Sequence, residues 1–224
     1  MNHLNKLKQK NRVEKEAIII FTRFPIPGQA KTRLIPHLGE DRAASLQRSM
    51  TEHTIAEALK AKTMRPMAVE IYYKGGNSKE IEKWLGKNCS YHEQYSGDLG
   101  VKIIDAFTRS FGKGFEKVII IGTDCPSLSS SIMLKGLEQL NNYNIIIGPA
   151  EDGGFYLMGL SRPPEPALFH NVHWGKDTVL ESVLANTDTL NLSHDCLPVL
   201  SDIDRPEDLV HLHQAGKDLI HNKK

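Results

Sequence analysis

The feature that most constrains this chain is a set of short, continuous β-branched runs separated by stretches of helical periodicity. Ala17-Ile18-Ile19-Ile20-Phe21 is apolar at every position. A strand with one face in water alternates apolar and polar residues, so an unbroken run belongs to a strand buried on both faces. Similar runs recur at Met67 to Tyr73, Val118 to Ile121 and Ile145 to Ile147. Between them, Ala43, Leu46, Met50, Ile55, Ala58 and Leu59 make one face of a helix from about Glu40 to Ala61. Ile81, Trp84 and Leu85 mark a second helix, Leu99 to Phe111 a third and Ile132 to Leu140 a fourth. Buried strands alternating with amphipathic helices predict an α/β fold in three layers, α/β/α, around a mostly parallel central sheet.

The chain has 224 residues, 40% of them hydrophobic, which suits one α/β domain. We place that domain at 17–224, after a polar, Lys-rich extension over 1–16. Lys plus Arg number 28 and Asp plus Glu 27, a formal charge of +1, so no global field draws the chain to nucleic acid or an acidic membrane surface. The three cysteines, Cys89, Cys125 and Cys196, have no Cys-x-x-Cys spacing, which argues for reduced thiols rather than a disulfide framework or a zinc site. No apolar run approaches the roughly 20 residues that span a bilayer, and the start lacks the apolar core of a signal peptide. A cytoplasmic location follows as the expectation, and a homo-oligomer is compatible with the chain.

Ligands of open parallel sheets sit at the carboxyl ends of the strands, so the polar residues after each run carry the functional reading. After the first run, Arg23, Lys31 and Arg33 bracket a loop stiffened by Pro25 and Pro27, with Gly28 giving backbone freedom. Three cations and approachable N–H groups suit a diphosphate; an ordinary surface loop is the alternative. After Val118 to Ile121 comes Gly122-Thr123-Asp124-Cys125-Pro126, where Asp124 can bind Mg²⁺ or Mn²⁺ or cap the following helix. Ser127 and Ser129 to Ser131 are also suited to that capping. Glu151-Asp152-Gly153-Gly154 offers Asp152 as general base or sugar ligand, with two glycines that let a substrate approach; a plain turn between strands places the same residues.

Trp174 in His173-Trp174-Gly175 is either a pocket wall for the substrate or buried core. The chain should end with a strand near Pro198 to Leu200, then Asp202-Ile203-Asp204 and a helix opened by Pro206. Those two carboxylates are either a helix cap or a metal ligand.

Taken together, five ordered blocks make the sequence similar to the bacterial DUF2064 family, which includes glycosyltransferases assigned to arsenosugar biosynthesis. The blocks are Phe21 to Leu34, Gly97-Asp98-Leu99-Gly100, Gly122 to Pro126, Gly148 to Tyr156, and Asp202-Ile203-Asp204 with Pro206-Glu207-Asp208-Leu209. The resemblance implies a nucleotide-diphospho-sugar transferase fold of the GT-A type. It also implies that Gly28, Lys31 and Arg33 hold nucleotide phosphates, that Asp98 lies near the base or ribose, and that Asp124 and Asp204 bind the metal.

Glycosyltransferases of this fold usually carry Asp-x-Asp where this chain has Asp124-Cys125-Pro126. Members of the family commonly have Glu-Arg-Met where it has Val101-Lys102-Ile103.

The leading expectation is a metal-dependent glycosyltransferase with a nucleotide-sugar donor and a small acceptor, in which Asp152 and Lys31 act in the chemistry. A nucleotidyltransferase that releases pyrophosphate is the alternative, and a catalytically idle nucleotide-binding module is the third reading.

Overall fold

The computed structural model describes residues 14–214 and arranges seven strands in one sheet in the order β3-β2-β1-β4-β6-β5-β7. These are β1 Glu16–Arg23, β2 Ala68–Lys74, β3 Ser90–Glu93, β4 Lys117–Ile121, β5 Ile145–Pro149, β6 Phe155–Leu160 and β7 His194–Cys196. β6 runs antiparallel to both its neighbours, and every other pairing is parallel. Residues 1–13 of the expected N-terminal extension lie outside the described part, and Glu16 already belongs to β1.

The helices are α1 Ile35–Leu38, α2 Glu40–Met64, α3 Ser78–Leu85, α4 Leu99–Gly112, α5 Ser130–Gln139, α6 Val179–Thr189 and α7 Val210–Gln214. They cover both faces, as an unalternating strand requires. Ile18 and Ile20 turn toward a core shared with Ile55 and Ala58 of α2 and Met133 and Leu137 of α5. Ala17 and Ile19 turn the opposite way, toward Ile103 and Phe107 of α4 and Val183 of α6. The period of two therefore splits one isoleucine run between two cores. The expected three-layer, mostly parallel fold is the one found.

Local details differ from the sequence reading for identifiable reasons. The strand expected at Pro198 to Leu200 is instead β7 at His194–Cys196, and Leu200 contributes only an isolated bridge to Ala150. β3 and β7 are short edge strands of polar sequence, so no apolar run announces them. The serines before α5 do not cap it through their side chains. Glu57 of α2 accepts from the Ser130 N–H at 2.7 Å, and that bond holds its carboxyl below the usual range. No helix among the described residues is long and apolar enough to cross a membrane, and the three cysteines are free.

One buried charge locks α4 and the β3 edge to β2. Glu70 on β2 is 4% exposed; it accepts from Lys113 Nζ at 2.6 Å and Ser110 Oγ at 3.1 Å, and His92 of β3 lies 3.8 Å away. Burial alone would raise its pKa, but the contacts from His92 and Lys113 outweigh it and lower the value from 4.5 to about 2. The folded carboxyl is thus the stronger acid, so its contribution is complete above pH 4.5 and is lost as the pH falls toward about 2. The displacement corresponds to about 3 kcal/mol. Glu70→Gln should therefore lower stability at pH 7, and its melting curve should converge on wild type as the pH is taken from 4.5 down to about 2.

Candidate functional site

The chain leaves β1 toward β2 on one side of the sheet, while β4 lies on the other side of β1, so the carboxyl ends of β1 and β4 flank a topological switch point. A buried polar chain fixes these two ends. Thr22 at the end of β1 shares a hydroxyl hydrogen bond of 2.8 Å with Thr51 of α2. Gln47, one turn earlier in α2, donates to Thr51 at 3.1 Å and to Thr123, just past β4, at 3.2 Å. All four are nearly inaccessible to solvent, and each polar group costs free energy if left unpaired. Gln47 and Thr51 were not picked out from the sequence; two polar residues four apart on an apolar helix face were the available signal.

The loop after β1 turns back into the site through Lys31. This residue has left-handed backbone, φ 48° and ψ 45°, with its side chain only 3% exposed. Its ammonium group lies 2.7 Å from Asp124 and donates to the Ile203 carbonyl, and Ile203 N–H in turn donates to the Asp124 carbonyl at 2.8 Å. Arg33 pairs with Asp204. Two of the cations expected to hold phosphates are thus in contact with the two carboxylates expected to hold a metal.

Asp124 does not cap the next helix, since α5 begins only at Ser130. Neither Asp202 nor Asp204 caps the C-terminal turn; the Asp208 carboxylate accepts from the N–H groups of Asp204 and Arg205 at 2.9 and 2.6 Å.

Asp152 sits in the turn between β5 and β6, where its Oδ1 accepts the Gly154 N–H at 2.8 Å. The turn reading is therefore correct, and the same turn aims Asp152 into the site. Asp202, which the sequence left as either a helix cap or a metal ligand, is half-buried nearby. Burial first, and then the charges of Asp152 and Asp124, raise its pKa to about 6. No sequence signal exposes this convergence, because it joins three segments far apart in the chain.

These residues border two joined cavities. The larger, about 680 Å³, is polar and lined by Arg23, Lys31, Arg33, Gln94 and Asp204 among others. The smaller, about 230 Å³, has Tyr156, Phe155 and Trp174 in its wall and Gly154 at its edge. Asp124, Asp152 and Asp202 line both. Trp174 is partly buried against Phe155 and Phe169, at centroid distances of 6.4 and 5.8 Å, and it also lines the smaller cavity. A Cβ at Gly100 would come within 2.8 Å of its ring, which explains a glycine in the first turn of α4.

Three expected site residues lie elsewhere. Gly28 (φ 78°) turns the loop but lines neither cavity, and Asp98 is the N-cap of α4, accepting from Val101 N–H at 2.9 Å. Gly153 is the third, and it has a packing role.

The donor set at the junction of the cavities is all oxygen, which suits a hard divalent cation. Among the described residues, no group of three or more His, Cys, Asp or Glu side chains is arranged to hold a metal ion. Mg²⁺ needs only one or two carboxylates when phosphate oxygens and water complete its shell. The mutual repulsion of Asp124, Asp152 and Asp202 is the feature that such an ion would relieve.

A family profile described as "Uncharacterized protein conserved in bacteria (DUF2064)" matches residues 54–176, a stretch that includes Asp98, Asp124, Asp152 and Trp174 but neither the loop after β1 nor Asp202 and Asp204. No curated protein matches the chain. Among solved structures, a proposed nucleotide-diphospho-sugar transferase from Desulfovibrio desulfuricans G20 is similar over 92% of this chain and 89% of its own, with 28% identity and a TM-score of 0.85.

The 4-diphosphocytidyl-2C-methyl-D-erythritol synthase of Anaerococcus prevotii DSM 20548 covers 88% of this chain and 96% of its own at 11% identity and a TM-score of 0.56. Rv0371c of Mycobacterium tuberculosis H37Rv, in complex with manganese, covers 90% and 99% at 11% identity and a TM-score of 0.51. The last two show a shared fold. All three likenesses bear out the nucleotide-diphospho-sugar transferase fold expected from the sequence, and the Desulfovibrio structure, at 28% identity, also bears out the transferase class.

The glycine pair separates packing from function. Gly153 has φ +82°, and a Cβ there would stand 2.0 Å from the Asp177 carbonyl oxygen, whereas at Gly154 it would meet only the Asp152 carboxylate, at 3.0 Å. Gly153→Ala should cost more than about 2 kcal/mol in thermal or denaturant unfolding, and Gly154→Ala under about 1 kcal/mol.

Proposed function

The chain belongs to the DUF2064 family, and on that premise we propose that it is a metal-dependent transferase that takes a nucleotide-diphosphate sugar as donor and a small hydroxyl-bearing molecule as acceptor. The observation that carries this reading is the pair of joined cavities with Asp152 at their junction. The large polar cleft suits a nucleoside diphosphate, and the small aromatic-walled pocket suits a sugar ring, which stacks its apolar face on an indole and offers hydroxyls to carboxylates.

In this reading Lys31 and Arg33 stabilise the charge of the departing diphosphate, Arg23 adds positive charge elsewhere in the same cleft, and Gly28 shapes their loop without touching the ligand. Lys31 is already oriented by Asp124 and the Ile203 carbonyl, so little reorganisation accompanies charge development. Asp152 orients or deprotonates the acceptor hydroxyl, its own position set by the Gly154 N–H. Gly154 keeps the backbone low beside the acceptor, Gly153 seats that turn against the Asp177 backbone, and Trp174 forms the wall. Asp98 acts indirectly, as the N-cap of the helix that brings Lys102 to the nucleotide cleft.

Asp124 would hold Mg²⁺ or Mn²⁺, with Asp202 or Asp204 as its companion; the half-buried Asp202, crowded by like charges, is the better placed of the two. When bound, the ion would neutralise diphosphate oxygens.

A second reading, nucleotidyl transfer from a nucleoside triphosphate to a phosphorylated acceptor with release of pyrophosphate, is favoured by one specific observation. Cys125 turns into the core at 4% exposure, so the strand end offers a single carboxylate where glycosyltransferases of this fold usually offer two.

The test is an assay of nucleotide sugars and nucleoside triphosphates with Mg²⁺ or Mn²⁺ present. Acceptor-dependent release of nucleoside diphosphate is the expected outcome. Pyrophosphate release moves the assignment to nucleotidyl transfer, and tight nucleotide binding without turnover supports an idle binding module. Asp124→Asn should lower kcat by about 100-fold or more; retention of full activity with unchanged metal dependence would show that Asp124 is not a metal ligand.

A further inference from the structure

The large cleft has two electrically distinct ends. At one, Lys31 and Arg33 are met by Asp124 and Asp204. The other end is lined by Arg23, Lys74 and Lys102, cations from three separate elements. Arg23 and Lys74 are register partners at the carboxyl ends of the parallel strands β1 and β2. Lys102 stands in the first turn of α4 and reaches the same wall.

Neither Lys74 nor Lys102 makes an ion pair with any described residue, and the Arg23 guanidinium donates only to the Gln29 carbonyl, at 3.0 Å. Asp98 lies near Lys102, but its Oδ1 is engaged by the Val101 N–H.

Three further details make this end a place for an anion. The Lys102 ammonium is pushed below its usual range, first by burial and then by the charges of Lys74 and Arg23, so the three cations feel one another. A cation in the first turn of a helix also opposes the helix dipole. The Gln94 amide, which lines the same cleft, is held by donating to the Thr22 and Tyr72 carbonyls at 3.2 and 3.0 Å and brings no negative charge to the cations. The arrangement is electrostatically unfavourable in isolation and becomes favourable when a multiply charged oxyanion enters.

We propose that Arg23, Lys74 and Lys102 form a phosphate subsite, separate from Lys31 and Arg33, that binds a phosphate or diphosphate group of a substrate. The transferase reading enters only in naming the owner of that group. It is either the nucleotide's own terminal phosphate or the phosphate of a phosphorylated acceptor.

The probe is inorganic pyrophosphate, titrated calorimetrically into the full chain in EDTA, so that no metal at Asp124 contributes. Wild type should bind it, more weakly as salt screens the charges. The double variant Lys74→Gln/Lys102→Gln should bind at least tenfold more weakly, yet melt at the wild-type temperature or above it without ligand, because like-charge repulsion has been removed. Arg23→Gln should also weaken binding.

Unchanged affinity in the double variant, or no pyrophosphate binding by wild type, overturns the proposal. A loss confined to nucleoside di- and triphosphates assigns the phosphate to the nucleotide, and a loss confined to a sugar 1-phosphate assigns it to the acceptor; both support the subsite. Pyrophosphate binding that depends on these lysines, in a protein that turns over no nucleotide, leaves the subsite standing and removes the transferase reading.

Discussion

Lys31 is buried, charged and held in left-handed backbone, and the rest of the site hangs on the contacts that make this combination tolerable. A desolvated ammonium group needs close partners. Its partners here come from opposite parts of the chain, Asp124 just past β4 and the carbonyl of Ile203. One side chain therefore ties the loop after β1 to the end of the central strand and to the C-terminal segment. Ile203 is itself buried in a small third core with Leu34, Leu46, Met50 and Leu212, so the polar tether above and the apolar contacts below hold the same segment.

That arrangement gives the cleft an unequal charge distribution. Where Lys31 and Arg33 meet Asp124 and Asp204, opposite charges cancel over short distances, and the local field depends on which ligand or ion displaces which partner. At the far end, Arg23, Lys74 and Lys102 have no such cancellation. A nearly neutral chain thus concentrates positive potential in one place, which its net charge of +1 gives no hint of.

Much of the fold was legible because burial on both faces leaves a plain mark: β1, β2, β4 and β5 coincide with the four runs read from the sequence, and β6 follows the glycine pair. β3 and β7 were not legible, since an edge strand needs neither apolar composition nor alternation. In the site, Asp124 and Asp152 could be picked out because each directly follows a buried run. Asp202 could be named only as one of two carboxylates suited to capping a helix or binding a metal; what sets it apart, its burial first and then the charges of Asp152 and Asp124, exists only in the folded sheet. Gln47 and Thr51 look like ordinary helix residues, and Lys74 like the solvated end of a strand, until their neighbours across the sheet are known.

The contact between Lys31 and the Ile203 carbonyl also orders events in time. The two residues are separated by 172 positions, among the longest loops this chain can close, and synthesis delivers the C-terminal partner last. A nascent chain with β1 to β6 already paired would still lack the acceptor that seats the Lys31 ammonium. However early the sheet forms, the cleft between the loop after β1 and Asp124 becomes complete only when the C-terminal segment returns to that loop. An intact cleft thus reports that the chain has been made through Ile203 and folded back.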